Sequence, residues 1–434
     1  MKTRVTVVGA GAAGLTAAIR AAEAGAQVTL LNAHPKVGLK ILMSGGTRCN
    51  VTHEEVTERD FFGGSRNAVA RVLRAFTATQ TLVWFEDELK VPLKLEATGK
   101  YFPESDDAQT VLDALLAAAE RAGVTLETGA RVTRLAPEGR GWRVGIQRIR
   151  DSASLGSAVR AAGGTVWPLP EAKPEEMRLA DRVGVATGGL SFPRTGSDGV
   201  GYSLLTALGH TMTPPMPALV PLSAKDTLRR AAQGVATDAT LTLHEHGKKG
   251  VSFSGPLLIT HFGYSGPVAL DISRHYAYAD PDTRRITASF VPHADREWLL
   301  QDWLVRAERE TTRTVRRHLG TWLPDRLAAE LSWEAEIDPA RTLPQVAKIR
   351  RDKLFSILLE RDLHVNGTLG YEKAEVTAGG VTLSEVNPST LESRVAPGLF
   401  LCGEVLDVEG RLGGFNFQWA WSSGTVAGRA SAGV

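Results

Sequence analysis

The chain is short of cysteine, of surplus charge and of long apolar runs, and each shortage removes a class of function. Its two cysteines, Cys49 and Cys402, lie far apart without C-x-x-C spacing. Neither a zinc site nor a dithiol redox motif is therefore indicated; no metal site is expected, and both cysteines read as reduced packing residues. Fifty basic residues stand against 48 acidic ones, a formal net charge of +2. That balance supplies no global field for nucleic acid or a membrane surface. No run approaches the roughly 20 apolar residues that a bilayer-crossing helix needs, and the apolar start is interrupted by glycines too early for a signal peptide. The expectation is a cytoplasmic protein with a small-molecule substrate and neither nucleic acid nor membrane as partner. At 434 residues with 43% hydrophobic and 23% charged side chains, the chain is long enough for two or three cores.

What is abundant is glycine in meaningful places. Val5-Thr6-Val7-Val8 reads as a β-branched strand running into Gly9-Ala10-Gly11-Ala12-Ala13-Gly14. In this G-x-G-x-x-G spacing the first glycine permits the tight turn, the second lets the backbone approach a pyrophosphate, and the third lets helix and strand pack closely. A diphosphate would sit on the N–H groups that open the following helix. Leu15, Ala18, Ile19 and Ala22 recur at helical spacing, Gly25 follows as a stop, and residues 27–31 read as a second strand. Where dinucleotide folds usually place an acidic residue to accept from the ribose, this chain has Asn32.

Beyond this βαβ start, residues 36–53 are polar and glycine-bearing, as loops are, and helices are expected over 65–89 and 107–122. Strands are expected over 124–127, 130–135, 142–146 and 182–186, with an irregular excursion over 151–177. From Leu190 to about Asp280 short apolar runs such as 239–244 and 268–272 suggest a β-rich module, and residues 294–361 suggest a helical one. Residues 399–402 then read as a buried strand and 412–430 as a glycine-led helix. The expected architecture is α/β: a Rossmann-like dinucleotide-binding domain built from 1–190 and 363–434, interrupted by a β-rich insert (191–293) and a helical subdomain (294–362). Placing residues 399–402 in the same sheet as the first strand would carry Glu404 to the carboxyl end of a strand, where ligands of open sheets collect. Three glycine turns, at Gly9 to Gly14, Thr187-Gly188-Gly189 and Gly413-Gly414, would converge on one ligand.

Several blocks together resemble the BaiN-like flavoproteins, a family of NAD(P)/FAD-dependent oxidoreductases that includes enzymes described as aminoacetone oxidases. They are Val8 to Gly14, Lys40-Ile41-Leu42-Met43-Ser44-Gly45-Gly46 with Arg48-Cys49-Asn50, Lys100-Tyr101-Phe102-Pro103, and Ala186-Thr187-Gly188-Gly189-Leu190-Ser191. His261 to Pro267, Thr377 to Val381, Gly403 to Asp407 and the long Gly413 to Gly424 run agree, so the resemblance covers nearly the whole chain. The departures are local: Asn32 for an acidic residue, Leu39 for an arginine and Thr47 for a glycine.

The resemblance implies FAD bound across a glutathione reductase-type domain, with a β-barrel-like insert and a helical subdomain over the flavin. By matched position Gly9, Gly11, Ala12, Ala13 and Gly14 would hold the pyrophosphate, Asn32 would face the ribose with Lys40 nearby, and Val132 would meet the adenine through its backbone. Gly403 and Glu404 would bind the ribityl-diphosphate side, and Thr187 and Gly188 would also contact the cofactor. Ser44, Gly45, Arg48 and Asn50 with Gly414, Phe415, Asn416 and Phe417 would flank the isoalloxazine. Flavin catalysis needs no protein nucleophile; His261 and Tyr264 are the candidate proton donors or substrate contacts, and His364 and Arg411 are candidate anchors for an acidic substrate.

Two enzymatic branches remain open. In one, NAD(P)H reduces the flavin, which then reduces an activated double bond; in the other, an amine-like substrate reduces it and oxygen reoxidises it. A non-catalytic flavin-binding protein is the third alternative. Because the chain has a single G-x-G-x-x-G, a nicotinamide would have to use the general substrate cleft.

Overall fold

The structure, a computed structural model, describes residues 2–149 and 173–434. Most of the expected 151–177 excursion therefore lies outside the described residues; its end enters the strand Glu176–Ala180. The chain divides into two compact units, Met1–Met216 with Glu375–Val434, and Pro217–Ala374.

The first unit is built on a five-stranded parallel sheet. Strand β1 (Arg4–Val8) leads into helix α1 (Ala12–Glu23), then β2 (Gln27–Asn32), β3 (Thr125–Thr128), β4 (Arg182–Val185) and β5 (Leu399–Leu401), in the spatial order β5-β4-β1-β2-β3. The alternation that makes β1 a central strand is visible residue by residue: Val5 and Val7 are buried beside Val28 and Leu30 of β2. The inference that 399–402 joins this sheet holds, with Val185 opposite Leu401. The last helix, α2 (Phe415–Ala432), packs along α1.

That packing depends on absent side chains. A Cβ on Gly424 would stand 2.6 Å from the Ala13 carbonyl oxygen, and one on Gly428 would stand 2.4 Å from that of Ala17. Because the contacts advance together along both chains, α1 and α2 run parallel. Gly414 caps α2 ten residues before Gly424, whereas Gly11 caps α1 two residues before Ala13. At 1.5 Å per residue the start of α2 therefore overshoots the start of α1 by about 12 Å in the same direction.

The expected helix over 65–89 is divided into Arg66–Ala75 and Ala78–Val83 followed by a π-turn at Trp84–Glu88. Thr77 ends the continuity, since its hydroxyl accepts from Gln80 N while the Gln80 side chain accepts from Thr77 N, a capping box that starts a new helix. The helix Ala108–Arg121 matches its expectation and is capped by Asp107.

The second unit carries a seven-stranded sheet from Leu222–Ala224 to Val365–Thr368, together with helices including Arg296–Arg309, Asp325–Glu334 and Lys348–Glu360. Two sequence expectations are corrected here. The β-rich and helical modules share one core, in which Leu241, Ile259 and Ile286 of the sheet cluster with Trp303, Leu331 and Phe355 of the helices. The apolar run 268–272 is helical, within Pro267–Tyr278, because Pro267 at the first position favours a helix start. Residues 191–216 belong to the first unit.

Candidate active site

At the end of β1 the three fingerprint glycines have different neighbours. A Cβ on Gly9, whose φ is +101°, would lie 2.4 Å from the Ala186 carbonyl oxygen, and one on Gly14 would lie 1.7 Å from that of Gly9. Protein packing thus accounts for both. Gly11 has ordinary extended dihedrals, and a Cβ there would meet nothing within 4 Å. Space is left open at the residue that caps α1, beside N–H groups with no side-chain cap and no acidic residue in the first turn. The buried Thr187 hydroxyl has no partner among the described residues and lies against Gly201, where a Cβ would stand 1.9 Å from it. An open approach at Gly11 and an uncapped helix start fit a dinucleotide pyrophosphate.

Asn32 serves this turn from beneath. Its Oδ1 accepts from Ala10 N at 3.0 Å, and its Nδ2 donates to the carbonyls of His34 at 2.7 Å and Lys36 at 3.1 Å. The amide braces the cradle against the loop after β2, a two-way role that a carboxylate could not fill. Val132 is buried in its strand at a register shift between Val132 and Arg134.

After β5, Glu404 is the centre of a polar cluster. Its Oε2 meets Lys40 Nζ at 2.5 Å; its Oε1 accepts from Ser191 Oγ at 2.9 Å and from Thr377 N at 2.8 Å. Lys40 also donates to Ser191 Oγ at 2.7 Å, and Thr377 Oγ1 accepts from the amides of Leu190 and Ser191. Gly189 is small for this reason: a Cβ would lie 2.4 Å from Thr377 Oγ1. Gly403 is held by α2, donating to Ser423 Oγ at 2.9 Å and accepting from Trp419 Nε1 at 3.1 Å. Ser191, Thr377 and Ser423 were not singled out from sequence, because their partners lie up to 213 residues away and no spacing rule connects them.

At the start of α2 the loop of Ser44 to Asn50 comes against the glycine pair. With its amide oriented to satisfy both neighbours, Asn50 accepts from Gly414 N and donates to Thr52 O, each at 3.0 Å. A Cβ on Gly414, at φ +94°, would stand 2.7 Å from the Asn50 side-chain amide and 2.8 Å from the Thr52 carbonyl oxygen. Ser44 Oγ donates to Ile41 O, and Gly45, Gly46 and Thr47 are all left-handed. Thr47 takes its left-handed conformation, at φ +71°, without the freedom of a glycine. Arg48 is occupied, with Nη1 2.6 Å from Glu96 and its guanidinium 4.0 Å over Phe102. Cys49 is buried and its thiol is pushed up to about 12 by desolvation, against a smaller opposing hydrogen bond from Ser44; Cys402 is buried and likewise pushed up to about 12. Both are free thiols.

Phe415 is fully buried and stacks on His53 with ring centres 4.8 Å apart. Asn416 clamps Gly410, accepting from its N–H at 2.8 Å and donating to its carbonyl at 2.9 Å. Phe417 stacks on Trp421 at 5.5 Å. α2 begins without a side-chain cap and without an acidic residue in its first turn.

The two catalytic candidates lie in the second unit. Tyr264 is corrected by its surroundings. It is fully buried in that unit's core and its hydroxyl donates to Asp226, whose carboxylate is held by two guanidinium nitrogens of Arg361, Nη2 at 2.8 Å from Oδ1. Burial, with the adjacent Asp226 charge, pushes the phenol well above its usual range, which suits a structural hydrogen bond. His261 is exposed and packs edge-on against Phe262 at 5.0 Å. His364 is also exposed, with Nδ1 3.6 Å from Asp362.

The family model described as HI0933-like protein Rossmann domain matches residues 3–185 and 171–430. The chain belongs to the HI0933-like family. As an HI0933-like protein it is an FAD-dependent oxidoreductase. Relatives agree over full length. The chain is 33% identical over 434 residues, 99% of both chains, to a 3-dehydro-bile acid delta(4,6)-reductase of Clostridium scindens. It is 31% identical to a ribosomal RNA dihydrouridine synthase of Escherichia coli over 96% of this chain and 95% of that one. A protein of the same description from Haemophilus influenzae is 31% identical over the same shares. No helix among the described residues is long and apolar enough to cross a membrane.

Proposed function

We propose that this HI0933-like protein reduces a carbon–carbon double bond conjugated to a carbonyl, using electrons that NAD(P)H delivers to FAD. The observation that carries this reading is the shared reaction of two relatives matched end to end: one name describes reduction of unsaturation in a 3-oxo bile acid, the other describes saturation of the uracil ring. The substrates differ, but in both the double bond is activated by a carbonyl. The near-balanced charge favours a small molecule bearing that group over an RNA.

The residues have separate tasks in this reading. Gly11 admits the pyrophosphate to the amides of Ala12 and Ala13; Asn32 keeps that turn in shape; Glu404, fixed by Lys40, Ser191 and Thr377, lines the ribityl side. The amides of Phe415, Asn416 and Phe417 present the positive end of α2, favouring the negative charge that a reduced flavin carries around N1 and the C2 carbonyl. The 12 Å offset between the two helix starts suits a ligand whose phosphates and redox ring are held at different depths. FAD, when bound, supplies hydride transfer at N5.

Anaerobic mixing tests the donor. NADH or NADPH is expected to bleach the flavin absorbance, and amines are expected to leave it. Bleaching by an amine with no response to either nicotinamide would reject the reductase in favour of an oxidase.

A further inference from the structure

Arg411 is more tightly preorganised than a surface arginine needs to be. Its Nε donates to Asp60 Oδ1 at 2.8 Å and its backbone N–H donates to Asp60 O at 3.0 Å. Its guanidinium carbon lies 4.3 Å from the centre of the buried Phe415 ring. The residue before it, Gly410, is clamped by Asn416 and pairs with Phe61 in a short antiparallel ladder. Asp60 is shared, its other oxygen accepting from the Thr57 amide and hydroxyl. The guanidinium is thus fixed through Nε and one face while its Nη donors have no protein partner among the described residues. The side chain remains 42% exposed, three residues before the cap of α2.

We infer that Arg411 is the substrate-anchoring residue, its Nη donors holding the carbonyl oxygen of the conjugated substrate and stabilising the charge that develops there. This rests on the proposed reduction. In that step a hydride equivalent from reduced FAD forms a C–H bond at the β carbon, the C=C π bond breaks, and its electron pair moves toward the carbonyl to leave an enolate oxygen. Water then supplies a proton to the α carbon; the substrate gains two electrons and the cofactor loses two. A planar, permanently charged group whose two Nη amino groups remain free suits an oxygen that becomes anionic, and stacking on Phe415 holds it in place. A purely structural arginine would need only the Asp60 and Phe415 contacts.

The test uses FAD-loaded wild type, Arg411→Gln and Arg411→Lys, titrated with 4-chlorophenol near its pKa, the phenolate oxygen standing for the enolate. Binding is read from long-wavelength charge-transfer absorption. Each dithionite-reduced protein is then mixed anaerobically with cyclohex-2-enone and reoxidation is followed. The expectation is phenolate affinity at least tenfold weaker in Arg411→Gln, a smaller loss in Arg411→Lys, and saturating reoxidation slowed about 100-fold in Arg411→Gln. FAD content and Tm should stay at wild-type values. Equal phenolate affinity in wild type and Arg411→Gln, or no phenolate binding by wild type, overturns the assignment. If Arg411→Gln loses the phenolate while reduced wild type ignores the enone, the anchor stands and the proposed reaction fails.

Discussion

Among single residues, Gly11 offers the cleanest separation of fold from ligand. Because no protein atom lies within 4 Å of its missing Cβ and its dihedrals suit any residue, Gly11→Val should fold with a Tm close to wild type and purify without FAD. Retained flavin would refute the pyrophosphate placement. The spacing of the glycines was legible from sequence, but the division of labour among them was not, since it depends on the Ala186 carbonyl, just past the end of another strand. Asn32 shows the same limit. From sequence it is a defect in a ribose-binding fingerprint; in the fold its amide donates to two carbonyls and accepts from one amide. Restoring the usual acid should therefore harm the protein: Asn32→Asp would leave two carbonyls facing a carboxylate, costing about 1–3 kcal/mol. The check is a thermal melt and an FAD titration, and tighter FAD binding by Asn32→Asp would contradict the bracing role.

For the elements, the parallel pair α1 and α2 sets the depth of the site. A methyl group at position 428 would have to enter space 2.4 Å from the Ala17 carbonyl oxygen, where backbone on both sides leaves little room to give. Gly428→Ala should destabilise the first unit by about 1–3 kcal/mol and weaken FAD retention, although residue 428 is fourteen positions from the cap of α2. Differential scanning fluorimetry with and without added FAD measures both effects; a variant with unchanged Tm and full flavin would show that the close approach is not required. The existence of α2 was readable from its glycine-led start. Its partner was not, because helical periodicity reports a buried face without saying what covers it. The run 268–272 failed for a related reason: four apolar residues around Asp271 suit a strand or a helix, and Pro267 decides.

At the scale of the whole molecule, a change of texture along the chain is not a change of core. Strands and helices of the second unit bury one common cluster, organised in part around Tyr264, Asp226 and Arg361. Desolvation works to raise the Asp226 pKa, but the Arg361 guanidinium with the Tyr264 hydroxyl and Leu228 amide outweighs it, leaving the pKa below the usual 3.8. With the folded value depressed, its stabilisation is fully present above the unfolded carboxylate pKa and is lost as pH falls through the folded value. Asp226→Asn should remove that acid limb and cost about 3 kcal/mol at neutral pH, the low end for a broken buried pair because Glu334 still contacts Arg361. Urea unfolding at several pH values would show it; an acid limb unchanged in Asp226→Asn would exclude the pair as its source.

The claim that this flavoprotein reduces conjugated double bonds is tested most directly by one anaerobic cycle. Stoichiometric NAD(P)H is added to the FAD-loaded protein, followed by a 4-en-3-one steroid or, in parallel, a uridine-containing ribosomal RNA fragment, with absorbance and product mass recorded. The account predicts bleaching, then recovery of oxidised flavin with one equivalent of product heavier by two hydrogens. Recovery only on admitting oxygen, with hydrogen peroxide formed and both acceptors unchanged, would contradict it.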